Sequence, residues 1–184
     1  MGLNQWFEKG FTKEEYIGNM QVNQAALQQI YAQYDVTNVS IAQSLREKQL
    51  RAIILTADWC GDAMVNLPIF MKIAEEAHIP ASYLIRDNHL ELMDQYLTNG
   101  TARSIPIIIF IDSDGNEVAK WGPRAKKIQQ LVDEKSAQLP NKEDEQHEEA
   151  FKAYVQQMKK LYTEDSTVWR IIEEDLLQTL RTKA

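Results

Sequence analysis

Between Thr56 and Ala63 the chain reads Thr-Ala-Asp-Trp-Cys-Gly-Asp-Ala, and Cys60 is the only cysteine in 184 residues. Residues 52–56, just before this segment, form a short apolar run of the kind a fully buried strand shows. Residues 60–77 carry helical periodicity through Met64, Leu67, Phe70, Met71 and Ile73. A cysteine at such a junction sits where free backbone N–H groups point outward. The positive end of the helix dipole favours a thiolate there, and the thiolate is the nucleophile. Gly61 lets another backbone approach closely, and Trp59 can shield one side of the sulfur. Asp62 opposes the helix terminus, because a nearby carboxylate raises a thiol's pKa. The sequence does not say which effect wins. A lone thiol can attack a disulfide or accept a thiol cap, forming a mixed disulfide that an external thiol resolves.

The elements that position this segment alternate through the centre of the chain. Residues 79–85 read as a second strand, and residues 89–97 as a helix closed by Asn99 and Gly100. Residues 106–111 give the strongest strand signal. Residues 112–116 form a turn and residues 117–121 return as the other arm of a hairpin. Gly122 and Pro123 then open a helix to about residue 139. The order β-α-β-α-β-β-α implies an α/β fold, a mixed sheet with helices on both faces. Residues 1–47 read as an N-terminal helical extension, with an aromatic cluster at Trp6, Phe7 and Phe11 and no strand pattern. Leu27, Ile30, Tyr31 and Tyr34 recur there at helical spacing, and a short helix through Ile41 and Leu45 is capped by Asn38 or Ser40. Residues 140–184 read as a C-terminal helical hairpin. One helix shows a face of Phe151, Tyr154, Val155, Met158, Leu161 and Tyr162. The other is capped by Ser166 and carries Val168, Ile172, Leu176 and Leu180.

At this point the sequence resembles the thioredoxin-like superfamily over residues 48–139, and the whole chain reads as one such domain with two helical extensions. Trp59, Cys60 and Gly61 match the first half of the family's W-C-G-P-C motif. Pro68 falls where the family carries a proline in the active-site helix, and Ile105-Pro106 matches the family's cis-proline loop, which faces the cysteine. Gly115 and Gly122 also fall in register. The departures are specific. Asp62 replaces the proline between the cysteines, Ala63 replaces the resolving cysteine, and Ile54 stands where the family often buries an acid. The resemblance implies a monothiol variant: Cys60 as nucleophile, with Trp59, Gly61, Asp62, Ala63, Ile105, Pro106 and Arg103 lining its site. It implies a protein disulfide or a low-molecular-weight thiol disulfide as the partner. A non-catalytic binding module using the Pro106 loop groove is the alternative. A third reading is a peroxide sensor forming a sulfenic acid at Cys60. Arg103 also reads as an ordinary solvated loop arginine, and Asp58 and Asp62 as ordinary helix-capping acids.

The bulk properties narrow the classes. A net charge of -7 argues against nucleic-acid binding, and the cations from Arg124 to Lys127 read as a solvated helix face. His78, His89 and His147 show no metal-ligand spacing, so no metal and no cofactor is expected. The 112–116 turn resembles part of a calcium loop but lacks the glutamate at position 12. No basic or apolar leader opens the chain and no apolar run reaches the roughly 18 residues of a membrane span, so no membrane partner is expected. A single cysteine fits a reducing, cytoplasmic setting.

Overall fold

The N-terminal third folds as expected into short helices. In the computed structural model, which describes residues 1–184, these are Leu3–Phe7 (α1), Lys13–Asn19 (α2), Gln24–Gln33 (α3) and Val39–Ser44 (α4). Thr12 and Glu15 form a reciprocal cap on α2: Thr12 N–H donates to Glu15 at 2.8 Å, and Glu15 N–H to Thr12 Oγ1 at 3.2 Å. One piece of this region pairs as a strand would, against expectation. Phe11 and Tyr83 exchange both backbone hydrogen bonds at 2.9 Å, extending the sheet by a single bridge.

The sheet comprises Arg51–Thr56 (β1), Ala81–Ile85 (β2), Ile107–Ile111 (β3) and Glu117–Trp121 (β4), in the order β2-β1-β3-β4. β1 and β2 are parallel, joined through Gly61–Ala77 (α5), the crossover helix such a pair requires. β3 is antiparallel to both β1 and β4. Every residue of β3 is buried, as are all but the first of β1, so both faces at the centre of the sheet are covered. That explains why these two strands are continuous apolar runs rather than alternating ones. In the β3–β4 turn, the Asp112 carboxylate accepts from the backbone of Asp114 and Asn116 at 2.9 Å each. It is a side-chain-locked hairpin turn.

Several boundaries differ from the sequence reading. The helix expected over 89–97 is only Leu90–Met93 (α6), because Thr98 and Ala102 pair across a tight turn at Asn99 and Gly100 and pull the chain back. Gly122 and Pro123 do not open a helix; Lys126–Ser136 (α7) begins three residues later. Gly122 has φ +117°, and a Cβ there would lie 2.1 Å from the Pro106 carbonyl oxygen. The glycine is needed so that this loop can lie against the Pro106 loop.

The C-terminal hairpin is His147–Glu164 (α8) and Ser166–Lys183 (α9). Asp165, not Ser166, caps α9, its carboxylate accepting from Thr167 N–H at 2.8 Å. Val168, Ile172, Leu176 and Leu180 are all buried, α9 packing against α5, β4 and α7. On α8 only Met158 and Tyr162 are buried; Phe151 and Val155 stay exposed. A single buried carboxylate ties α9 to the N-terminal helices. Glu173, fully buried, accepts from Tyr34 hydroxyl (2.7 Å), Thr37 hydroxyl (2.7 Å) and Asn38 N–H (2.6 Å), and also from Thr37 N–H and the Asn38 amide. Asn38 therefore serves Glu173 and makes no side-chain cap on α4. No helix is long and apolar enough to cross a membrane.

Candidate functional site

β1 ends at Thr56 and delivers the chain to Cys60, the residue that caps α5. The Cys60 sulfur accepts from Ala63 N–H at 3.4 Å, satisfying one of the free donors of the first turn. The thiol donates in turn to the Ile105 carbonyl at 3.3 Å. The Ile105–Pro106 peptide bond is cis, and both residues are buried. Cys60, Ala63, Ile105 and Pro106 are thus one cluster, 45 residues of sequence closed into a single contact between Cys60 and Ile105. Gly61 is exposed, and a side chain added there would meet nothing. No backbone of this chain approaches Gly61; the space over it is open.

The thiol is buried, and burial is the largest influence on it, pushing its pKa up. The Ala63 N–H bond pulls it down, the Asp62 charge pushes it up, and the Arg124 charge pulls it down; the balance is upward. Desolvation, which the sequence did not reveal, decides the contest between helix terminus and carboxylate. The bond to Ile105 exists only for the protonated thiol and acts in the same direction.

Asp62 is neutralised where it stands. Arg124 grips it with two bonds, Nε to Oδ1 at 2.7 Å and Nη2 to Oδ2 at 2.5 Å, and the Tyr162 hydroxyl donates to Oδ1 at 3.0 Å. Arg124 therefore belongs to the site and not to a solvated helix face, since it precedes α7 and its third donor holds Gln129 at 2.8 Å. Burial pushes the Tyr162 hydroxyl pKa well up, with the Asp62 charge adding to it. Asp58 does not cap α5; its carboxylate accepts from Gln21 and Val22 N–H at 2.7 and 3.1 Å, pinning the chain ahead of α3 beside the site.

Trp59 is exposed and carries the Arg86 guanidinium 4.7 Å from its ring centroid. Arg86 also donates to the Arg103 carbonyl at 2.9 Å, bridging Trp59 to the segment that leads into Pro106. The Arg103 side chain is held elsewhere, by Asp94 at 2.6 and 3.0 Å. The cation acting on Cys60 is Arg124. A cleft of about 410 Å³ opens beside Trp59, Gly61 and Asp62, but its far wall is α8, through Tyr154, Val155 and Met158. Neither Ile105 nor Pro106 lines it. Arg86, Arg124, Tyr154 and Tyr162 all lie outside the Cys60 segment; local sequence shows Tyr154 and Tyr162 only as part of a helix face and Arg124 only as one of a run of cations, and nothing there ties them to Cys60. No group of three or more His, Cys, Asp or Glu side chains is assembled to hold a metal ion.

A family model described as thioredoxin matches residues 10–139, which takes in the N-terminal helices from α2 onward. A protein of unknown function from Pseudomonas aeruginosa aligns with a TM-score of 0.63 at 16% identity, covering 95% of this chain and 98% of its own. An HIV epitope scaffold aligns at 0.61 and 15% identity, covering 95% of this chain and 99% of its own. These likenesses extend the shared fold over the terminal helices as well. No curated protein matches the sequence.

Proposed function

The chain belongs to the thioredoxin family, and we infer that it exchanges thiols and disulfides through one cysteine, Cys60. The observation supporting this reading is the placement of the Cys60 sulfur. It lies at the head of α5 between the Ala63 N–H and the Ile105 carbonyl, next to the open space over Gly61. In the exchange step Cys60 loses its proton to solvent, and the thiolate attacks one sulfur of a disulfide. A bond forms between that sulfur and Sγ, the original S–S bond breaks, and the other sulfur leaves as a thiolate. Ala63 has no thiol to complete the cycle, so an external thiol attacks the mixed disulfide, releases the Cys60 thiolate and carries off the captured group as a new disulfide. The net change is one thiol partner swapped for another. Such a cycle suits a reducing, cytoplasmic setting, where small thiols keep cysteines reduced. Protein disulfides and low-molecular-weight thiol disulfides are both substrates in kind.

The raised thiol pKa sets the pace. The thiolate fraction at neutral pH is small, while the intrinsic nucleophilicity of each thiolate is high. Turnover of a glutathionylated peptide with glutathione as the external thiol tests the reading. Activity above the uncatalysed rate, lost in Cys60→Ser, is expected; full activity in Cys60→Ser sinks it. The same upward shift favours a second reading, a binding module whose thiol stays protonated. That reading expects partner capture by Cys60→Ser equal to that of the unaltered chain, with no turnover in either.

A further inference from the structure

The cleft between the Trp59–Asp62 turn and α8 shares Trp59, Gly61 and Asp62 with the surroundings of Cys60, but Cys60 itself does not line it. Its size, about 410 Å³, is that of a small-molecule site. Its floor is apolar and buried, built from Met64, Val132, Met158 and the ring of Tyr162. Its rim is apolar too, yet exposed: Val22, Trp59 and Val155 line it and are 47%, 51% and 46% exposed. Three of the chain's most exposed large apolar side chains thus gather around one concavity. Isolated exposed apolar residues call for no explanation, but a cluster around a cleft does.

The polar groups here select a charge. Arg124 has five N–H donors, of which Asp62 and Gln129 take three. Lys152 and Lys160 on α8 pair with Glu148 and Glu164, whereas Lys159, which lines the cleft, has no carboxylate partner. The Tyr154 hydroxyl makes no hydrogen bond within the chain and lies within the fields of Arg124, Asp62 and Asp133. Among the lining side chains Asp62 offsets one of the two cations, which leaves one net positive charge on the wall itself, with Asp133 behind it bonded to Gln129.

We propose that this cleft binds a small molecule with an apolar, ring-sized body and one carboxylate. The body covers Met64, Val132 and Met158 beneath the Trp59–Val155 rim. The carboxylate meets Lys159, the Tyr154 hydroxyl and the unused N–H groups of Arg124, leaving the Asp62–Arg124 pair in place. A dianion would exceed the net charge, and a cation would be repelled. The site works whether or not Cys60 reacts.

Isothermal titration of the full chain with 2-naphthoate, and separately with its neutral amide, tests this. One-to-one binding is expected, with the carboxylate at least about fivefold tighter than the amide, the scale of one exposed charge contact. Lys159→Gln removes that preference and leaves amide binding unchanged. Val155→Glu, at an exposed position on α8, abolishes binding of both while the circular dichroism spectrum stays that of the unaltered chain. Cys60→Ser binds 2-naphthoate as the unaltered chain does, which separates this site from the exchange chemistry. Three results overturn the proposal: no saturable binding at millimolar 2-naphthoate, equal affinity for acid and amide, or affinity unchanged by both α8 variants. A dimer that excludes 2-naphthoate and dissociates on Val155→Glu overturns it as well, giving the cleft to a second copy of the chain.

Discussion

Replacing Glu173 is expected to loosen the attachment of the C-terminal hairpin more than any surface substitution on it. Its carboxylate accepts from five donor groups on Tyr34, Thr37 and Asn38, all on the segment joining α3 to α4. Glu173→Leu leaves those donors facing an apolar side chain. A buried donor stripped of its acceptor costs about 1–3 kcal/mol, and removing one partner from a buried charged network costs about 3–5 kcal/mol. The donors near the loop surface regain water, so the network figure is the better guide. For a chain of this size each kcal/mol moves Tm by about 2–4 °C, giving a loss of about 6–20 °C. The pH dependence carries a second signature. Burial pushes the Glu173 pKa up, but the bonds from Tyr34, Thr37 and Asn38 outweigh it and the net shift is downward. A depressed carboxyl pKa contributes stability that is present above the unfolded value of about 4.3 and is lost as pH falls through the folded one. Thermal melting followed by circular dichroism at pH 7 and at pH 3, below the unfolded value, reads both effects, with the exposed Glu174→Gln as control. A Glu173→Leu Tm within 2 °C of the unaltered chain, or an unchanged Tm difference between the two pH values, refutes the reasoning.

The site yields further expected outcomes. Iodoacetamide labelling of Cys60 in the native chain should have its midpoint above the free-cysteine value of about 8.5, and a midpoint below it contradicts the dominance of burial. Asp62→Asn should move that midpoint down, since it removes the carboxylate and leaves Arg124 unneutralised; Arg124→Met should move it up. Because the folded thiol holds its proton more tightly, stability should also decline as pH rises past about 8.5, and Cys60→Ser should lessen that decline in urea titrations, leaving the part due to buried tyrosines such as Tyr162. Gly122→Ala should cost about 2–5 kcal/mol in the same assay, from the +117° φ and the 2.1 Å approach to the Pro106 carbonyl.

What the sequence made legible follows from how local each signal is. β1 and β3 stand out because strands buried on both faces are continuous apolar runs. Residues 59–63 are contiguous, so their strand-to-helix junction could be read directly. Helix ends fared worse where tertiary pairing intervened: the Thr98–Ala102 bridge cut α6 short, and the Gly122–Pro106 approach delayed α7. The periodic face of α8 was visible, but periodicity does not say what covers a face, and Phe151 and Val155 lie open. Arg124 and Tyr162 reach Asp62 across 62 and 100 residues, and Glu173 reaches Tyr34 across 139. Pairings at such separations leave no local pattern. The electrostatic balance at Cys60 was illegible for a related reason, since its largest contribution, burial, is a property of the assembled fold.

The exchange reading is tested most directly by the pH–rate profile of glutathionylated-peptide turnover, with Cys60→Ser as baseline. The account predicts a rate above that baseline that climbs through the alkaline range as the buried thiol ionises. A rate equal to the Cys60→Ser baseline at every pH contradicts it, and a rate already at its plateau at neutral pH contradicts the burial argument on which the mechanism stands.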